Sequence, residues 1–216
     1  MKEKAENTHK MKTRKYELLM ISVISARATS FIVSKVLLQS MEPFNLLAIR
    51  FLIAFSILVL IFHKEVLKIT KKVLVSGFIV GTLFFVTMTM EMLALEQANS
   101  SLVSLLENCA IIYVPMLEVI FFRRFPNRIA VISIATAMVG VALLAIQQGE
   151  LRGGFTFGLL AGLSYAFAII ATDKLTHEND STLSIGIIQV GTMGVLSLLA
   201  TLLVEHPKLL KNQPFI

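Results

Sequence analysis

Seven stretches of this chain, residues 18–38, 44–62, 73–95, 102–122, 129–146, 155–172 and 183–204, are apolar over the length a helix needs to cross a bilayer. A hydrocarbon core of about 30 Å takes about 20 helical residues, and within it a helix satisfies all its own backbone donors and acceptors. The joints between the stretches carry Pro43, Lys71-Lys72, Asn99-Ser100, Pro126-Asn127, Gly153-Gly154 and Asn179-Asp180, residues at which backbone leaves a helix. A soluble helical protein of this size would need a polar face on each helix, and none of the seven shows one. With 56% apolar residues and a mean hydropathy of +0.78, the expectation is an all-α integral membrane protein of seven transmembrane helices.

The net charge of +6 could suggest nucleic acid, but its placement argues otherwise. Of the 20 Lys and Arg, 14 fall on the N-terminal segment and on alternate links: Lys2, Lys4, Lys10, Lys12, Arg14, Lys15, Lys64, Lys68, Lys71, Lys72, Arg123, Arg124, Arg128 and Lys174. The opposite side receives Arg152, Lys208 and Lys211. This is the positive-inside distribution, so the N-terminus is expected in the cytoplasm, the C-terminus outside, and the protein in the cell (inner) membrane. The first apolar run lacks a cleavage site and is expected to stay in the membrane. One cysteine, Cys109, excludes an internal disulfide, and His9, His63, His177 and His206 show no metal spacing. No phosphate loop and no nucleophile elbow is present, so no catalytic residue, no metal and no cofactor is assigned, and an enzyme is not expected.

A repeat follows from sliding the chain by 139 positions: Ser25, Lys35, Ile49 and Leu60 fall on Ser164, Lys174, Ile188 and Leu199, and Arg50 falls on Gln189. The offset contains five spans. An odd number turns the second copy upside down, which is the inverted-repeat plan of secondary transporters. The expected organisation is a basic cytoplasmic tail (1–17), a first five-helix repeat (18–147), the first two helices of a second repeat (153–204) and an external tail (205–216). A full second repeat would run about 70 residues beyond Ile216, so the second copy is expected to be cut short.

Three stretches carry a family resemblance. Ser30-Phe31-Ile32-Val33-Ser34-Lys35 followed by Glu42-Pro43-Phe44-Asn45-Leu46-Leu47-Ala48-Ile49-Arg50-Phe51 is the first, Ala94-Leu95-Glu96-Gln97-Ala98-Asn99-Ser100-Ser101-Leu102-Val103 running to Val114-Pro115 is the second, and Gly158-Leu159-Leu160-Ala161-Gly162-Leu163-Ser164-Tyr165-Ala166 is the third. In order and spacing these resemble the drug/metabolite transporter superfamily, EamA type. That resemblance implies ten helices in two repeats and transport of a small solute. Two features depart from it: Arg123-Arg124 stands where the family commonly has an acidic residue, and the last three helices are missing.

Charges inside the spans are the site candidates, because an ionised group at mid-bilayer costs about 2.5 to 3.5 kcal/mol and must face a partner, the bundle interior or water. Depth along the spans pairs Arg27 with Glu107, and Lys35 or Arg50 with Glu91. Asn108 and Tyr113 flank the same level, and Pro115 is expected to kink the fourth span. Glu118 is expected to pair with Arg123 near the inner surface. Two readings stand for the charges: a cavity for a charged or zwitterionic solute, lined by Arg27, Glu107, Asn108, Glu91 and Tyr113 with Glu91 or Glu107 taking a proton, or structural ion pairs that lock helices together. Lys35, Arg50 and Gln189 read as structural or gating positions. Gly77 with Gly81, and Gly158 with Gly162, are small residues four apart that let helices approach closely.

The expected function is transport of a small metabolite or drug-like solute across the cytoplasmic membrane, coupled to a proton or sodium gradient, with no nucleic-acid partner. The alternative is a non-transporting truncated membrane protein, or a structural partner in a larger membrane assembly. Substrate, direction of transport and oligomeric state are not legible in the residues.

Overall fold

The computed structural model describes residues 2–122, 131–132, 134–140, 143, 153–177 and 181–205. Among them every regular element is helical: α1 (Lys2–Leu37), α2 (Pro43–Ile61), a short α3 (His63–Val66), α4 (Lys71–Gln97), α5 (Ser100–Asn108), α6 (Ala110–Phe122), α7 (Gly153–His177) and α8 (Thr182–Ala200), which ends in a π-helical turn, Thr201–Glu205. Six stretches are long and apolar enough to cross a membrane: Met20–Leu37, Pro43–Ile61, Lys71–Gln97, Ser100–Phe121, Gly154–His177 and Thr182–Glu205. Of the expected fifth span, 129–146, residues 131–132, 134–140 and 143 are described and all are helical, and the rest lie outside the described residues. The external tail from 206 and the Glu118 to Arg123 pairing also lie outside them.

One expectation changes at the start of the chain. The basic segment continues α1 without a break from Lys2. Its Lys, Glu, Ala and Met residues are good helix formers, and no Gly or Pro interrupts residues 1–20.

Polarity is distributed as lipid requires. Ile53, Leu60, Phe78, Ile111, Ile120 and Leu203 are exposed on the outside of the bundle, while Thr87, Glu91, Glu107, Ser184, Ser197 and Thr201 are buried within it. In water an exterior of this kind would be an aggregation surface, whereas hydrocarbon solvates it at no cost.

Close contacts fix the helix directions. Gly77 lies against Ile185 and Ile188, and Gly81 against Gln189 and Thr192, so α4 and α8 run parallel. Gly154 meets Ala98 while Ser164 Oγ lies 2.8 Å from Thr87 Oγ1, so α7 runs antiparallel to α4. Phe55 packs on Gly191 and Leu52 on Gly194, so α2 runs antiparallel to α8. Arg27 reaches Glu107 and Lys35 reaches Leu95, which sets α1 in the direction of α4. Thus α1, α4 and α8 point one way, and α2, α5, α6 and α7 the other.

Glycine makes the closest of these approaches possible. A Cβ on Gly77 would lie 2.6 Å from Ile188 Cβ, and one on Gly162 would lie 2.6 Å from the Leu106 carbonyl oxygen. In lipid, where burying apolar surface between helices gains little, such backbone proximity supplies the dispersion energy that holds the bundle.

The ends of α2 and α8 are joined. Phe44 N–H donates to Glu205 Oε1 at 2.8 Å and Asn45 N–H to Glu205 Oε2 at 2.9 Å. Those donors have no carbonyl one turn earlier to bond, and the helix dipole favours an anion at that end. Glu205, assigned from sequence to the start of a tail, therefore caps α2 from the last turn of the α8 segment.

Candidate functional site

The α5 to α6 segment is one membrane crossing made of two helices. The Cys109 N–H bonds the Leu106 carbonyl at 3.1 Å and the Ile112 N–H bonds the Cys109 carbonyl at 2.8 Å, both three residues apart, so the regular four-residue ladder is interrupted at Cys109. Pro115, expected to kink the span, lies inside α6, and the tightened turn at Cys109 is a separate feature earlier in the crossing. Side chains explain the position. Asn108 Nδ2 donates to the Ser104 carbonyl at 2.6 Å, Cys109 Sγ lies 3.5 Å from the Leu105 carbonyl, and α7 presses Gly162 against the Leu106 carbonyl. Polar side chains and a close neighbour thus compete for the carbonyls of that turn.

Glu107 sits immediately before the break, its side chain 1% exposed. Arg27 comes to it from α1: Nη2 donates to Glu107 Oε1 at 2.6 Å. Nη1 lies 3.4 Å from Tyr165 Oη, and the guanidinium carbon is 4.9 Å from the centre of the Tyr165 ring. Phe84 meets that ring edge-on at 5.9 Å. The planar guanidinium is therefore held on two sides, by a carboxylate and an aromatic face, while 39% of the Arg27 side chain remains accessible. Glu107 Oε2 is buried and accepts no hydrogen bond among the described residues. Glu91, also buried, lies within electrostatic reach of Glu107, Arg27 and Arg50.

A cavity of about 550 Å³ opens beside this group, between α1, α5 and α7. Arg27, Tyr165, Asn108 and the hydroxyl residues Ser100, Ser101 and Ser104 form its polar wall, and Ile24, Ala28, Phe31 and Ile32 its apolar wall. One cation, several neutral hydrogen-bonding groups and a carbon surface suit a small amphipathic solute with an anionic or zwitterionic head.

The structure brings Arg27, Glu107 and Asn108 together, keeps Glu91 within electrostatic reach of the pair, and sets Tyr113, Gln189 and Lys35 apart. Tyr113 packs with Ala110, Leu117 and Ala166, against Gly162, and is not on the cavity wall. Gln189 lies on α8 with its carbonyl against Gly81. The direct pairing of Glu91 with Lys35 or Arg50 is not made. Lys35 Nζ donates to the Leu95 carbonyl, and Arg50, exposed, lies 5.5 Å from the centre of the Phe51 ring. Lys35 is in the last turn of α1, where a long side chain reaches a carbonyl at the end of α4 without crossing the bundle, whereas Arg50 lies near the middle of α2 on its exposed side.

Tyr165 is the site residue that sequence reasoning passed over. It stood only within a stretch quoted for the family resemblance, but a Tyr inside an apolar span is itself a signal, because its hydroxyl must find a partner there. Among the described residues no group of His, Cys, Asp and Glu side chains could hold a metal ion.

The sequence model of the EamA-like transporter family matches residues 14–146, well over half of the chain. No curated protein and no solved structure matches it.

Proposed function

The chain belongs to the EamA-like transporter family, and from that premise we propose that it moves a small carboxylate or zwitterion across the cell membrane through the Arg27 cavity. The observation that carries this reading is the Arg27–Glu107 pair: an accessible guanidinium on a cavity wall, held by a buried carboxylate inside a membrane helix, next to its tightened turn at Cys109. Ionisable residues inside membrane spans face the bundle interior or a water-filled cavity and mark solute and proton paths. Arg27 takes the anionic head of the solute, Asn108 and the serines its other polar groups, and Phe31 with Ile24 its carbon body.

Coupling follows from charge balance. Glu91 and Glu107 are both buried on the side of Arg27, with the exposed Arg50 also within electrostatic reach of Glu91, and gathering two carboxylates around one paired guanidinium is costly unless a proton or cation joins them. Glu107 Oε2, buried without a hydrogen bond among the described residues and on the carboxylate that holds the cavity-wall Arg27, is the acceptor for that proton. A solute anion binding Arg27 competes with Glu107 for the guanidinium, and a proton on the released carboxylate completes the exchange.

The inverted repeat is part of the same proposal, with residues 18–147 as the first copy and 153–204 as the opening of the second, seven spans in all and the N-terminus cytoplasmic. Two observations support it. The α1, α2 pair runs opposite in direction to the α7, α8 pair. Under the 139-residue offset Leu52 corresponds to Gly191 and Phe55 to Gly194, and the contacts formed are Phe55 with Gly191 and Leu52 with Gly194. Each contact is the other's image, as a two-fold axis between α2 and α8 requires. Tyr165 corresponds to Ala26, the neighbour of Arg27, so the site gathers near-equivalent positions of the two copies.

The test is solute binding and counterflow in proteoliposomes over a panel of carboxylates, amino acids and cations, with and without a pH or sodium gradient. Glu107→Gln should abolish coupled uptake at unchanged membrane yield, and Arg27→Gln should abolish solute binding. Uptake by Glu107→Gln equal to the parent, or a preference for cationic solutes, would overturn the assignment.

A further inference from the structure

A second cavity, of about 390 Å³, lies at the other end of the bundle, where α2 turns into α4. Its walls are almost wholly carbon: Phe55, Val66, Ile69, Leu74, Phe78 and Val195 are among the residues that form them. It opens on the apolar exterior, where Leu74, Phe78 and Val195 are all about half exposed.

The rim has the opposite chemistry. The short α3 and the turn after it alternate crevice residues with cations: Val66 and Ile69 line the cavity, and Lys64, Lys68 and Lys71 are exposed beside them. Lys68 has Glu65 at 3.3 Å, a surface pair worth little that yields readily to a stronger anion. Leu67, 85% exposed between these lysines, gives the turn an apolar foot, so the segment sits at the boundary between hydrocarbon and water.

A purely apolar guest would leave the lysines without a role, and a soluble anion would leave the crevice without one. The guest that uses both is an amphiphile with an anionic head and a hydrocarbon tail, presented from the bilayer. We propose that this crevice is a binding site for an anionic glycerophospholipid, one acyl chain lying along Phe55, Leu74, Phe78 and Val195 and the phosphate held by Lys64, Lys68 and Lys71. Phe55 is also the residue packed on Gly191 across the α2 to α8 contact, so a bound chain buttresses that contact from the lipid side.

The experiment is native mass spectrometry of the full chain released from detergent, titrated with phosphatidylglycerol and, separately, with phosphatidylcholine of the same acyl chains. Two variants accompany it. Lys64→Gln/Lys68→Gln/Lys71→Gln removes the charges at exposed positions, with the matching triple Lys→Arg variant to restore them, and Val195→Trp fills the crevice without touching the rim. Phosphatidylglycerol should bind at least about tenfold more tightly than phosphatidylcholine, the Gln variant should lose roughly tenfold or more of that affinity, and the Arg variant should regain it. Val195→Trp should lower the affinity for both lipids. Equal affinity for the two lipids, an unchanged Gln variant, or full retention by Val195→Trp would each overturn the site. A Val195→Trp effect confined to the mass of a homo-oligomer, with lipid binding unaltered, would assign the crevice to a second copy of the chain and overturn it likewise.

Discussion

Arg27 and Glu107 make one ion pair, yet their removal should not cost the same. Breaking a buried pair by deleting one partner costs about 3 to 5 kcal/mol because the other charge is stranded. That figure applies in full to Arg27→Gln. It leaves Glu107, 1% exposed, without its donor, and Glu91 without the guanidinium near it. Glu107→Gln strands a different group. The Arg27 side chain is 39% accessible on a cavity wall and keeps the Tyr165 ring, so with the cavity water-filled, as the proposed solute path requires, most of its charge stays solvated and the loss should be about 1 kcal/mol. The double variant should fall near Glu107→Gln, since with both charges gone little is left stranded. Reversible unfolding in mixed detergent micelles with increasing SDS, followed by circular dichroism, measures all three against the parent. Equal losses for the two single variants, or a double variant as unstable as Arg27→Gln, would refute the picture of one sheltered carboxylate serving one wetted guanidinium.

Three further outcomes are expected. Gly81→Val should cost about 1 to 3 kcal/mol in the same unfolding assay, because its Cβ would lie 2.6 Å from Thr192 Cβ and 2.9 Å from the Gln189 carbonyl; Gly186→Ala, with nothing within 4 Å of the added carbon, should be neutral or stabilising. Glu205→Gln should cost about 1 to 2 kcal/mol by weakening two charge-assisted bonds to the start of α2, and faster amide exchange at Phe44 and Asn45 would locate the loss. Cysteines introduced at Lys15 and Lys72 should be labelled by an impermeant thiol reagent from the cytoplasmic side, and one at Gln39 from the opposite side, as the basic residues and the direction of α1 require.

How far the residues spoke for the fold and the site depended on what each choice left open. Span length and polarity were legible because the bilayer imposes both, and the six apolar crossings among the described residues follow directly. Arg27 and Glu107 were legible as a pair for a related reason: both lie near mid-membrane, neither can reach an interface, and the opposite charge at the same depth is the least costly partner. That argument weakens toward the span ends. Lys35 takes a terminal carbonyl at Leu95 instead, and Arg50 lies within electrostatic reach of Glu91 without touching it, so depth alone did not settle a direct partner for Glu91. Helix rotation was the other unknown. Tyr113 and Glu107 are six residues apart on one crossing, and a continuous helix would put them on different faces; the break at Cys109 alters the phase again, and nothing in the apolar sequence around it sets the angle. Tyr165 shows the same limit from the opposite side. Its hydroxyl announced a need for a partner, but the identity of that partner came from packing Gly162 against the broken turn, which brings α7 close enough for its next-turn residue to lie over Arg27. The glycine assigned to packing is thus what sets the aromatic wall of the site. A bulkier residue at position 162 should separate Tyr165 from Arg27 and impair solute binding before it unfolds the bundle.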